Sequence, residues 1–144
     1  MGILDKIFGK KKRSSLIKDI ETSKNWIVTA LNSSNYKADF SFDSLRKIDR
    51  FFDEQNVPGG ILSQNAGQKI FAIGAYIGEV IISTIGGEWI TDDNDPQGEM
   101  NISIKLTDGS TIFPVQRVIK RYKEGKESSI HDFIYILRQN IESE

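Results

Sequence analysis

The sequence predicts a single α+β domain: an antiparallel meander of three or four strands, packed on one face by a central glycine-containing helix and flanked by further helices. Two observations carry this reading. The run from Phe71 to Trp89 is the most apolar in the chain and has helical spacing. After it, Ile102, Ile104 and Leu106 alternate with polar residues, and Asp108-Gly109 marks a tight hairpin.

The central run reads as a helix from Gln68 to Ile85. Ile70, Ile73, Ile77, Val80, Ile81 and Ile85 form a broad apolar stripe. Gly67, Gly74 and Gly78 fall seven and four apart and line a narrow groove where another element can approach closely. Ala72, Tyr76, Glu79 and Ser83 make a third row, with Tyr76 and Glu79 as neighbours. The uninterrupted apolar run is shorter than the ~20 residues a bilayer needs and contains Glu79, so a buried core helix is expected. Gly86-Gly87 ends it.

At 144 residues, with 38% hydrophobic and 27% charged content, the chain suits one soluble globule. It has no cysteine and one histidine, His131, which excludes thiol chemistry, disulfides and multi-histidine metal sites. Of the net charge of -1, residues 1–13 hold +4 and the rest -5. That acidic body argues against nucleic acid as a partner.

Residues 1–13 form a basic amphipathic segment ahead of the domain at 14–144. Ile3, Leu4, Ile7 and Phe8 fall on one side of a short helix, followed by Lys10, Lys11, Lys12 and Arg13. No secretory signal or myristoylation pattern is present. A weak contact with an anionic membrane surface is one reading, and a solubilising N-terminus the other.

Ser14 or Ser15 can cap a first helix to about residue 32, with Leu16, Ile20, Ile27 and Leu31, and Trp26 and Ala30 beside them, on its buried side. Tyr36 to Phe40 is a candidate fourth strand. Ser41 or Asp43 can cap a helix over 43–55, and Asn56-Val-Pro-Gly-Gly60 breaks the chain. Strands are expected at 87–91, 100–106 and 110–114, separated first by the polar loop Asp92–Gly98. Pro114 ends the last strand, and a short helix from Val115 to Glu124 buries Val118, Ile119 and Tyr122. Ser129 and Asp132 have capping-box spacing for a last helix over 128–142.

The motif set Gly74-Ala-Tyr-Ile-Gly-Glu-Val80, Gly86-Gly-Glu-Trp89, the Ile-x-Pro-x-x-x-Val segment at 112–118 and Lys120-Arg-Tyr-Lys-Glu-Gly125 resembles a group of small bacterial domains of unknown function. The likeness spans about Phe42 to Leu137. Similar domains look like cytosolic accessory proteins, some of them of the toxin-immunity type. The resemblance implies a fold and a cytoplasmic, protein-binding role, and brings no catalytic residues.

Glu79 is the carboxylate that invites a site. An acid in an apolar helix needs a cation or a cleft, because an unpaired buried charge is prohibitive. Arg117 and Arg121 are the expected partners. A structural Glu–Arg clamp is favoured over a ligand pocket of Tyr76, Glu79, Trp89 and Arg117. Asp93-x-Asp95-x-Gln97-Gly98 begins like a calcium loop, but its twelfth position is Ile104, so no metal is expected. His131 is expected to sit at the surface beside Asp132. Nucleophile elbows and phosphate loops are missing, so neither catalysis nor a cofactor is expected. The expected function is non-catalytic binding of an unidentified protein, with a small-ligand or enzymatic pocket at Glu79 and a membrane-peripheral scaffold as alternatives.

Overall fold

A computed structural model describes residues 15–143. The contact residues assigned to a membrane surface, Ile3 to Arg13, lie outside the described residues.

The central helix, α3, runs Ala66–Ile85 and starts two residues earlier than its pattern indicates. Its 20 residues are long and apolar enough to cross a bilayer by length and composition alone. Instead, α1 (Leu16–Ser33) and α5 (Pro114–Glu124) pack along it, and Ala72, Ile73, Tyr76, Ile77, Val80 and Ile81 are fully buried. A second helix, α2 (Ser44–Gln55), and the last, α6 (Ile130–Glu142), pack on each other. Short 3-10 turns at Ile61–Ser63 and Gly125–Ser128 and a four-residue helix, α4 (Gly98–Asn101), complete the helical part.

The sheet is a three-stranded antiparallel meander, β1 (Glu88–Ile90), β2 (Ser103–Lys105) and β3 (Thr111–Ile112). Trp89 pairs with Ile104, and Ile104 with Ile112, so these three share one face. Glu88, Lys105 and Thr111 share the other. The strands are shorter than their alternation suggests because residues 98–101 fold as a helical turn. The candidate strand at Tyr36–Phe40 is not one. Phe40 takes a left-handed conformation (φ 63°), and its N–H donates to the Tyr76 hydroxyl (2.9 Å) rather than to a neighbouring strand.

Capping follows the sequence in part. Ser15 caps α1 through Lys18 N–H, and Ser129 caps α6 through Asp132 N–H. The helix α2 is capped from Ser41, whose Oγ accepts from Ser44 N–H (3.1 Å). On α1, Trp26 is 40% exposed and lies off the buried stripe, contrary to its expected place.

The three glycines of the expected groove meet three different surroundings. A Cβ on Gly74 would come within 2.7 Å of Val115 Cγ2 and 3.1 Å of its Cα, and one on Gly78 would fall on the Trp89 ring. At Gly67 nothing lies within 4 Å among the described residues. Gly67→Ala is therefore expected to raise stability by a few tenths to about 1 kcal/mol. Gly74→Ala is expected to lower it by about 1–3 kcal/mol through overpacking against Val115 backbone. Urea denaturation of both variants tests the opposite signs.

Candidate functional site

The residues expected to form one polar cluster are distributed over three places. Tyr76 is fully buried. Its hydroxyl shares a 2.6 Å hydrogen bond with Ser44 Oγ, accepts from Phe40 N–H, and its ring stacks on Phe40 at 4.8 Å. It fastens the turn before α2 onto α3. Burial pushes the Tyr76 phenol above its ordinary value of 10, with the Ser44 bond pulling the other way.

Glu79 does not meet an arginine. Its Oε1 lies 3.6 Å from Lys24 Nζ on α1, and its side chain is 31% exposed. Lys24 is also held by Glu21 at 3.0 Å and lies 5.8 Å from the Phe40 ring. The expected Glu79–Arg clamp is thus replaced by a partly solvated Glu79–Lys24 pair between α3 and α1. Helix α1 supplies the cation because it packs beside α3, a neighbour that spacing within α3 does not specify. Trp89 lies against Gly78, and its indole Nε1 is buried with no hydrogen-bond partner among the described residues.

Arg121 and Arg117 serve the other side of the molecule. Arg121, 3% exposed, donates from Nε to Asp49 Oδ1 (2.9 Å), and from Nη2 to Asp53 Oδ1 (2.6 Å) and the Asp49 carbonyl (3.1 Å). Asp49 in turn accepts from Ser129 Oγ (2.8 Å), Ile130 N–H (3.0 Å) and His131 N–H (2.9 Å). One carboxylate of α2 therefore caps α6 and holds the guanidinium of α5. Arg117 donates to the carbonyls of Ser128 and Ser129 and lies over the Phe133 ring, 4.7 Å from its centre. Burial lowers its pKa from the usual arginine value.

Sequence reasoning passed over Asp49 and Asp53. The available signal is a matched spacing: two carboxylates four apart on α2, two arginines four apart on α5. His131 also departs from expectation. It is 7% exposed, 4.8 Å from the Phe42 ring, with Nδ1 3.2 Å from Asp132 Oδ1. The cap supplied by Asp49 draws the first turn of α6 onto α2 and takes His131 inside.

In the polar loop, Asp93 accepts from Leu16 N–H (2.9 Å), and Asp95 accepts from Asn101 Nδ2 and Gln97 N–H (both 2.8 Å). Among the described residues, no group of three metal-ligating side chains comes together.

A concavity among the described residues lies elsewhere, between α1, α3, α4 and α5. It is a cleft of about 620 Å³, floored by Ile70, Phe71, Val115 and Ile119. Asp19, Thr22 and Ser23 form one wall; Glu99 and Met100 of α4 form part of another, and Gly67 and Gln68 stand at one end. The two charged residues lining it are both carboxylates, Asp19 and Glu99. None of Tyr76, Glu79, Trp89, Arg117 and Arg121 lines it.

A family model described as a domain of unknown function, DUF3806, matches residues 45–133. The chain belongs to that family. Comparison with curated proteins and with solved structures gives no match. The DUF3806 span opens in α2 and closes in α6, so it contains Asp49, Asp53, Arg121 and Ser129. Helix α1 precedes it. The DUF3806 residues thus supply three sides of the cleft, and the wall from Asp19 to Ser23 lies outside the match.

Removing the Asp49 carboxylate is costly, because it takes the acceptor from buried Arg121 Nε and leaves two N–H groups at the start of α6 unsatisfied, while Asp53 still meets the guanidinium. Asp49→Ala is expected to destabilise by about 3–5 kcal/mol. Glu79→Gln, at a partly solvated pair, is expected to cost less than about 1 kcal/mol. Denaturation midpoints at constant m-value separate the two.

Tyr76 adds a pH signature. Its folded pKa lies above the unfolded value, so its contribution is whole below pH 10 and is lost as pH rises through the folded value. Tyr76→Phe is expected to cost about 1–3 kcal/mol at neutral pH. It should also make stability fall less steeply above pH 10, with Tyr36, likewise raised by burial, contributing the remaining slope.

Proposed function

We propose that this chain is a non-catalytic protein-binding domain of the bacterial cytosol, and that it receives an apolar, basic segment of its partner in the cleft between α1, α3, α4 and α5. The carrying observation is the cleft itself: an apolar floor whose two charged lining residues are both acidic. Its volume lies within the ~300–1,000 Å³ of ordinary ligand sites, and its helical walls suit a helix-in-groove docking mode. The net -5 of residues 14–144 favours a basic partner through complementary charge.

The chemistry-bearing side chains support a binding role over a catalytic one. Glu79 is occupied with Lys24, Arg121 with Asp49 and Asp53, and His131 is packed against Phe42. An immunity-type role, in which the partner is a toxin, is the form of this reading that agrees with the resembled bacterial domains.

Gly67 offers a test that leaves the fold intact, since it lines the cleft and a Cβ added there meets nothing within 4 Å among the described residues. Affinity capture from the native cell is expected to retain a protein on the wild-type chain, to lose it with Gly67→Leu, and to lose it progressively as salt rises. A partner captured equally by wild type and Gly67→Leu would show that the cleft is not the binding surface.

A further inference from the structure

We infer that the chain's own residues 1–13 act as a resident occupant of this cleft, a cis competitor that an external partner must displace; the inference rests on the reading of the cleft as a docking groove.

Three observations converge. The first is chemistry. The cleft asks for apolar anchors beside positive charge, and Ile3, Leu4, Ile7 and Phe8 followed by Lys10 to Arg13 are that combination. Spacings of three and four residues are those of a helix laid into a groove.

The second is position. Residue 15 opens the described chain as the cap of α1, and Asp19, Thr22 and Ser23 in the next two turns of α1 already form a cleft wall. On its other side the start of α1 meets the loop leading to α4. Asp93 Oδ1 accepts from Leu16 N–H, and a Cβ on Gly98 would lie 2.8 Å from Leu16 Cδ1. The residue after Gly98 is Glu99, in the cleft. The described chain therefore begins between two of the cleft's own walls. Thirteen residues reach ~20 Å as a helix and about twice that extended.

The third is charge. Residues 1–13 carry +4, and the charged residues lining the cleft are both negative.

Tethering makes a weak contact sufficient. A short flexible connection gives an effective concentration of about 1 mM. A segment whose free peptide binds with Kd of about 0.1 mM would then fill the cleft about nine-tenths of the time. A competitor would bind the intact chain about tenfold more weakly than a chain with an empty cleft.

The test uses the full-length chain and, as probe, a fluorescent synthetic peptide of residues 1–13. The receptors are the wild type, a chain carrying Ile3→Ser, Leu4→Ser, Ile7→Ser and Phe8→Ser, and that four-serine chain with Gly67→Leu added. The peptide is expected to bind the four-serine chain about tenfold more tightly than the wild type, and to lose that binding with Gly67→Leu. Amide NMR signals of Gly67, Gln68 and Glu99 should differ between the wild-type and four-serine chains. Equal affinity for both chains, no binding to either, indifference to Gly67→Leu, or unchanged amide signals would each overturn the inference. Vesicles containing an anionic phospholipid supply a further arm. Peptide that binds them at concentrations leaving the four-serine chain unbound identifies residues 1–13 as a membrane contact, and the inference falls. A cellular partner that depends on Gly67 while the peptide binds nothing overturns this inference alone. Peptide binding without a Gly67-dependent partner overturns the proposed function and leaves the cis contact standing.

Discussion

The bond set around Asp49 organises the helical half of this protein. A carboxylate on α2 accepts two N–H groups at the start of α6, a serine hydroxyl from its cap, and the guanidinium of Arg121. No apolar contact could set three helices with that precision, because hydrophobic burial has no direction. The arrangement also explains how Arg121 can be 3% exposed: its charge is met by two carboxylates and a carbonyl, and its plane lies 5.4 Å from the Phe52 ring centre. A buried arginine answered in this way fixes geometry even where a hydrophobic replacement would be as stable.

The other half is organised by closeness. Gly74 admits Val115 and Gly78 admits Trp89, so α5 brings its backbone close to the central helix and β1 lays the Trp89 ring directly on it. Tyr76, between these two glycines in sequence, holds the turn that leads into α2. The central helix thus carries a polar fastening on one flank and glycine notches on another. The cleft begins at its N-terminal end, at Gly67.

The elements themselves were legible in the sequence. Apolar spacing specified the four long helices and the one after Pro114 to within about two residues, and alternation with Asp108-Gly109 specified the β2–β3 hairpin. What spacing could not specify was which elements become neighbours. Glu79 was read as needing a cleft or a cation, with an arginine as the expected partner; the cation beside it is Lys24, from a helix 55 positions earlier in the chain. Arg121 was read as a partner for Glu79, but the acids it meets lie on α2. A single histidine beside an aspartate looked like surface, and Asp49 turned it inward. The cleft was illegible for the same reason: its floor and walls come from four helices, and in sequence its floor residues are indistinguishable from core.

The two glycine notches have a mechanical consequence. They sit one turn apart and are filled by different elements, α5 and β1, so sliding α3 along its axis would require both to disengage at once. The helix behaves as a shaft held by two detents, rigid against translation. Its companions in the cleft, α1 and α4, meet each other through Gly98 against Leu16, and neither is caught by the two glycines of the shaft. Any rearrangement that follows occupancy has its easiest route through those two walls, with the shaft as the fixed reference against which they move.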